Sequence, residues 1–334
     1  MAGTKVLVVD DSLTMRALIS GALERIPGVE VVGMADGAAE ARGLVESTRP
    51  DVMTLDVEMP GMSGLDYLAE IMDTKPMPVI MFSTRTQDGA AESIEALRLG
   101  AIDCFPKPRV AAPAELDAII AKLAKRLKAA KKADLKPKSA PKSAKSPPID
   151  WNGRLLLVGG DASNTKSIFD LFSGFPANCP PTVVVQHLGP GMVESMAEKL
   201  AEQCAAKVVV ATDGVKPEQG TIYLAPHGDA HLVIDSWPNG TLRLLPKDPV
   251  AGERPSISLL FASAAKAAAA NAVGVLLLDG NEDGAGGLRA LNAAGGYAFA
   301  PAESGGGYTL TRGMVSQPVA SDALVAGVMK MCSK

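Results

Sequence analysis

Five polar residues in the first third of the chain stand where a phosphoryl group could be handled. Asp10 and Asp11 follow an apolar run ending at Val9, and Asp56 follows one ending at Leu55. Ser83 follows a run ending at Phe82, and Lys107 comes shortly after one ending at Phe105. Carboxylates packed together repel one another and raise the affinity for a hard divalent cation. Mg²⁺ suits them, because it takes oxygen ligands and keeps waters or phosphate oxygens in its shell. One carboxylate can then attack a phosphoryl donor in line while the cation and a lysine neutralise the developing charge. A serine hydroxyl beside them can bond a phosphoryl oxygen.

A second set lies further on. The apolar residues 155–158 lead into Gly159-Gly160-Asp161-Ala162-Ser163-Asn164. A strand that stops at a tight glycine turn and feeds a helix is a place to present a nucleophile. His187 follows the apolar run 182–186, and Asp283 follows the run 273–278, so a base and an orienting carboxylate are available downstream. The group at the turn is the carboxylate of Asp161, not a hydroxyl, with Ser163 as a weaker alternative. His227 and His231 share one turn before residues 232–234. A metal site there would need further ligands at suitable spacing, and none is evident, so His227 reads as a loop residue.

The elements that must position these groups alternate in type. Strands are predicted at 5–9, 29–35, 51–55, 79–82 and 101–105, with helices at 12–25, 37–47, 65–74 and 88–99. This repetition predicts an open parallel sheet with helices on both faces, and such sheets bind ligands outside the carboxyl ends of their strands. All five residues of the first set fall at that edge. Residues 114–133 read as one amphipathic helix, with Leu116, Ile119, Ile120, Leu123 and Leu127 on one side. The Lys/Pro/Ser/Ala run 136–148 cannot pack a core and favours an extended tether. A second alternation follows, with strands at 154–158, 182–186, 208–211, 221–225, 232–234, 242–245, 273–278 and 297–300. Its helices are expected at 164–173, 192–205, 256–270, 286–294 and 321–331, and a turn at 237–240 makes a hairpin. The expected domains are 1–125, a linker at 126–150, and a doubly wound α/β domain at 151–334.

Composition bounds the reading. With 334 residues and 47% hydrophobic residues, two ordinary domains can each build a core. A formal net charge of -4 argues against a general nucleic-acid binder. No basic recognition helix or helix-turn-helix pattern follows the first domain, which excludes a transcription factor. No apolar stretch approaches the roughly 18 residues of a membrane span, and the N-terminus has no signal-peptide core. Cys104, Cys179, Cys204 and Cys332 form no CxxC pair. They read as the reduced thiols of a cytoplasmic protein.

The segments Val8-Val9-Asp10-Asp11-Ser12, Leu55-Asp56-Val57-Glu58-Met59-Pro60-Gly61, Met81-Phe82-Ser83-Thr84 and Lys107-Pro108 resemble the response-regulator receiver domain over residues 4–125. The resemblance implies a flavodoxin-like five-stranded parallel sheet and phosphorylation of Asp56 by a histidine kinase. It also implies Mg²⁺ held by Asp10, Asp11 and Asp56, with Ser83 and Lys107 contacting the phosphoryl group. The family usually carries an aromatic three residues before the lysine, as the partner of the Ser/Thr contact; here the residue is Cys104.

Residues 154–331 resemble the CheB family of chemotaxis protein-glutamate methylesterases. Among the matching segments are Gln186-His187-Leu188-Gly189-Pro190-Gly191, Gly220-Thr221-Ile222-Tyr223-Leu224-Ala225-Pro226, His231, Arg254-Pro255-Ser256, Asp283-Gly284 and Gly313-Met314. The family hydrolyses γ-glutamyl methyl esters on chemoreceptors with a serine, a histidine and an aspartate. Carried over, the histidine is His187 and the aspartate Asp283, while the serine of a Gly-x-Ser-Thr-Gly-Gly pattern falls on Asp161. Ser163 and Asn164 replace the glycines that follow it, and residues 278–282 and 301–307, Ser258 and Val315 also depart from the pattern. His231 matches a position near the pocket, which implies a substrate-side role. The chain is therefore expected to be a response regulator whose methylesterase-like domain is degenerate, acting by binding to chemoreceptors or array proteins. An active protein-glutamate methylesterase and glutamine deamidase is the alternative.

Overall fold

The computed structural model describes residues 3–83, 87–107, 123, 126–127, 146–277, 283–301, 317–320 and 323–334. The chain divides into two compact units, Met1–Ser139 and Ala140–Lys334.

In the first unit β1 (Thr4–Val9), β2 (Val29–Ala35), β3 (Val52–Asp56), β4 (Val79–Ser83) and β5 (Asp103–Pro106) alternate with α1 (Leu13–Leu23), α2 (Ala38–Thr48), α3 (Gly64–Thr74) and α4 (Gln87–Leu99). The strands form one parallel sheet in the order β2-β1-β3-β4-β5. Helices on both faces explain why Val6–Val9, Val52, Met53, Leu55 and Val79–Phe82 are all buried, and why the strands read as continuous apolar runs. Side chains start two of the helices: Ser12 Oγ accepts from Met15 N, and Ser63 Oγ accepts from Asp66 N. Gly64 lets the chain fold back over β3, because a Cβ there would collide with the Asp56 carbonyl. Leu123 and Leu127 are helical and pack with Phe82, Phe105 and Ile19. The rest of the helix expected at 114–133, and the tether up to residue 145, lie outside the described residues.

The second unit is built on a seven-stranded sheet in the order β14-β13-β12-β6-β7-β9-β8. Its strands are β6 (Leu155–Asp161), β7 (Thr182–His187), β8 (Lys207–Val210), β9 (Thr221–Leu224), β12 (Ala272–Leu276), β13 (Tyr297–Pro301) and β14 (Gln317–Val319). Every pairing is parallel. The expected hairpin is present as β10 (His231–Ile234) and β11 (Leu242–Leu245), an antiparallel pair apart from the main sheet. The helices are α5 (Thr165–Ser173), α6 (Met192–Gln203), α7 (Ile257–Ala268), α8 (Ala285–Ala293) and α9 (Leu324–Cys332). The short strand β14 has no counterpart in the sequence reading, since three residues carry too little periodicity to register.

The structure corrects one local expectation. Gly159 and Gly160 do not make a turn: both lie inside β6, which continues to Asp161 and pairs Gly160 with Gln186 and Asp161 with His187. The glycines answer to packing. A Cβ on Gly159 would overlap Ile257 Cγ2, and one on Gly160 would overlap Gln186 Oε1. The turn follows instead as a 3₁₀ segment, Ala162–Asn164. Overpacking of this kind costs about 1–3 kcal/mol, so Gly159→Ala should lower the melting temperature of the second unit while leaving the first unchanged, as read by calorimetry.

Candidate functional site

The first site stands at the carboxyl edge of the five-stranded sheet. Asp10 follows β1 and Asp56 ends β3, and these adjacent strands bury both side chains; Asp11 is exposed. Ligand oxygens of the three carboxylates lie within 4.8 Å of one another. Lys107 Nζ is 2.6 Å from Asp56 Oδ2 and 3.7 Å from Asp10 Oδ2. Asp56 Oδ1 accepts from Glu58 N at 3.2 Å and Asp10 Oδ1 from Ser12 N at 2.9 Å, whereas Asp10 Oδ2 is buried with no hydrogen-bond partner. Burial pushes the Asp56 carboxyl up to about 6, with the neighbouring Asp10 charge adding to it and Lys107 opposing it. Burial raises Asp10 as well, against the pull of Lys107. An orphaned carboxylate oxygen and two carboxyls held above their ordinary range suit a cation. The residues fit Mg²⁺. Ser83 ends β4, its carbonyl accepting from Lys107 N at 2.8 Å and its hydroxyl lying 2.9 Å from Ser93 Oγ. Cys104 Sγ contacts Ser93 O at 3.4 Å.

The second site is assembled at the equivalent edge of the larger sheet. Asp283 is buried against the start of α7. Its Oδ1 accepts from Ser256 Oγ, Ser258 N and Gly284 N, each at 2.9 Å. Its Oδ2 accepts from Ile257 N at 2.7 Å and lies 3.2 Å from His187 Nε2. Burial raises the pKa of this carboxyl, but the bonds from His187, Ser258 and Ile257 outweigh it and hold the group at about 2.

His187 Nε2 also faces Pro255 O at 3.1 Å. Two acceptors at one nitrogen place a proton there. Nδ1 is buried without a hydrogen-bond partner, and Glu253 Oε2 stands 3.8 Å away. Burial disfavours the imidazolium, yet Asp283, Glu253 and Asp161 together outweigh it and raise the pKa above its ordinary 6.5.

Asp161 is brought opposite His187 by the β6–β7 register. Its backbone is ordinarily extended (φ -127, ψ -179), and Oδ1 accepts from both Ser163 N at 3.0 Å and Ser163 Oγ at 2.5 Å. The carboxylate thus caps the 3₁₀ turn that opens the way to α5, and the Ser163 hydroxyl is committed to Asp161. Gln186, on β7, donates its side-chain amide to the Asp161 carbonyl and to Thr165 Oγ1.

The substrate-side role expected for His231 is corrected. Its side chain is fully buried, Nδ1 accepts from Ser256 N at 3.0 Å, and Nε2 donates to Asp248 O at 3.0 Å. With both nitrogens occupied, it braces the helix start that holds Asp283. His227 is exposed on a cleft of about 320 Å³ that also includes His187, Glu253 and Arg254. The contributions of Ser256, Ser258 and Glu253 were not legible beforehand: a serine before an apolar run signals a helix cap, but nothing in the spacing says that it will clamp Asp283. The departures expected at 278–282, at 302–307 and at Val315 lie outside the described residues.

Comparison with known proteins bears on both units. Residues 156–328 match the CheB methylesterase family model, and residues 6–121 match the response regulator receiver domain model. The chain is 45% identical over 299 residues to the protein-glutamate methylesterase/protein-glutamine glutaminase 1 of Rhizobium johnstonii, covering 88% of this chain and 85% of that one. It is 44% identical to the Agrobacterium fabrum protein-glutamate methylesterase/protein-glutamine glutaminase, covering 87% and 84%. The chain belongs to the CheB methylesterase family. It is a receiver-domain response regulator carrying a CheB methylesterase domain. The crystal structure of the Thermotoga maritima CheB methylesterase catalytic domain shares the fold of the second unit, with a TM-score of 0.51, 24% identity, and coverage of 54% of this chain and 98% of that one. No helix among the described residues is long and apolar enough to cross a membrane.

Two predictions follow from these charges. Asp10→Asn removes a buried charge whose carboxyl burial has raised, so without metal it should stabilise the first unit at neutral pH by on the order of 1 kcal/mol. That gain should fade in acid, where wild-type Asp10 is itself protonated, and Mg²⁺ should no longer raise the variant's melting temperature. His187 should titrate above 6.5 in an NMR pH series, and Asp161→Asn should lower that value. Since the folded pKa is the higher one, the stability His187 contributes is full below 6.5 and is lost as pH rises through the folded value.

Proposed function

We propose that this response regulator accepts a phosphoryl group on Asp56 from a histidine kinase, and that its CheB-type domain acts by binding partners in chemotaxis-type signalling without hydrolysing esters. Asp10, Asp11 and Asp56 would hold Mg²⁺, which supplies charge neutralisation at the transferring phosphoryl group. Lys107 supplies a fixed positive charge against Asp56, and Ser83 a hydroxyl for a phosphoryl oxygen. Chemoreceptors or the proteins of their arrays are the partners the family membership favours. The cytoplasm is the compartment proposed, and four cysteines with no disulfide among them suit it.

The observation that carries the degenerate reading is Asp161, at the strand end opposite His187. A hydrolytic serine needs a neutral imidazole beside it to take its proton. Here the group beside His187 is a carboxylate, and three carboxylates together favour the imidazolium. Loss of a triad nucleophile lowers turnover on the order of a millionfold. The Asp161 carboxylate is engaged as a turn cap, and the Ser163 hydroxyl donates to it, so neither is presented as a free nucleophile.

The active methylesterase and glutamine deamidase remains the second reading, favoured by the intact 3.2 Å contact between His187 and Asp283 and by relatives that carry the methylesterase/glutaminase name.

Phosphoryl uptake from acetyl phosphate, read by intact mass, should be lost in Asp56→Asn; label that persisted would move the acceptor elsewhere. Asp161→Ser should release methanol from methylated receptor at no more than about a hundredth of the rate of an active family member, since Ser163 and Asn164 still replace the glycines that follow. A single substitution giving the full family rate would overturn the claim that the pocket has been rebuilt beyond its nucleophile.

A further inference from the structure

We infer that Ser93, on α4, carries the phosphorylation signal from β4 into the helix, by exchanging a hydrogen bond with Ser83. The inference rests on the reading of Asp56 as the phosphoryl acceptor.

Ser83 Oγ and Ser93 Oγ are 2.9 Å apart, and both residues are buried, at 5% and 3% exposure. Ser93 Oγ also donates to Gly89 O at 2.6 Å. A hydroxyl has one proton to give. That of Ser93 goes to Gly89, so Ser83 must be the donor to Ser93. A phosphoryl oxygen can only accept. Ser83 therefore cannot give its proton to a phosphoryl group on Asp56 while it gives it to Ser93.

The backbone at Ser83 is held in place. Ser83 O accepts from Lys107 N at 2.8 Å, and Lys107 Nζ is held 2.6 Å from Asp56. With its main chain tied on that side, the Ser83 hydroxyl is freed by rotation about χ1, not by movement of β4. The rotation removes the bond between Ser83 and Ser93, a buried side-chain tie between β4 and α4, while Ser93 Oγ keeps its bond to Gly89 O. With that tie gone, the helix around Ser93 is held less firmly to β4.

The adjoining strand meets α4 at the same residue, since Cys104 Sγ lies 3.4 Å from Ser93 O. Ser93 is thus contacted through its hydroxyl from β4 and through its carbonyl from β5. The thiol at 104 has no ring to swing, so a side-chain rotation at this position offers little change of shape. The hydrogen-bond exchange at Ser93 takes that place.

The test uses the full-length protein with Mg²⁺ and beryllofluoride as the phosphoryl mimic, followed by hydrogen exchange with mass spectrometry. In the wild type, the peptide spanning residues 87–99 should exchange faster once the mimic is bound. Ser93→Ala leaves Ser83 free to donate from the start, so half-saturation should come at about fivefold lower beryllofluoride, the equivalent of one net hydrogen bond. Its α4 peptide should respond little to the mimic. Ser83→Ala/Ser93→Ala should bind like Ser83→Ala alone, because the second substitution removes a bond already lost. A Ser93→Ala protein with wild-type half-saturation and a wild-type α4 response would overturn the inference. Absence of any beryllofluoride effect near Asp56 in the wild type would remove the phosphorylation reading itself, and the inference with it.

Discussion

Burying a carboxylate requires something to balance its charge, and both units are organised around that requirement. Parallel sheets end their strands together, so residues placed just beyond them converge. In the first unit this brings Asp10 and Asp56 into a buried edge with Lys107 against both. The remaining imbalance shows as a carboxyl at about 6 and an orphaned oxygen. In the proposed reaction, a divalent cation and a phosphoryl group would balance it. The loops follow from the same need, with Ser12 and Ser63 starting helices and Gly64 closing over the Asp56 carbonyl.

The second unit resolves the problem internally. Asp283 draws on the N-terminus of α7 and on Ser256, while Asp161 draws on the turn that it caps. Both charges, with Glu253, bear on His187. Those charges favour the imidazolium, the form that cannot take a proton from a hydroxyl. The two halves of the protein thus differ in what their charges leave undone: the first keeps an unmet demand that chemistry can fill, and the second has met its own.

Much of this was legible in the sequence. Continuous apolar runs at 6–9, 52–55 and 79–82 announced buried parallel strands, and the polar residues at their ends announced the edge. The receiver geometry was readable because each of its residues sits at or just beyond the end of a strand, where one-dimensional position fixes three-dimensional place. The second site was less so. Gly159 and Gly160 look like a turn but serve close packing against Ile257 and Gln186, a demand made by residues that are distant in the chain. His231 looks like a pocket residue and is a brace, because only the fold reveals that Ser256 and Asp248 occupy its two nitrogens. The bond between Ser83 and Ser93 depends on how α4 lies over β4, which periodicity alone does not set.

The central claim is that the second unit has kept the shape of an esterase without its reaction. Methanol release from methylated chemoreceptor, measured with the Asp56-phosphorylated protein beside His187→Ala, addresses it most directly. The account predicts no release above the His187→Ala background. Release that depends on His187 would contradict it and establish a working esterase with an altered nucleophile.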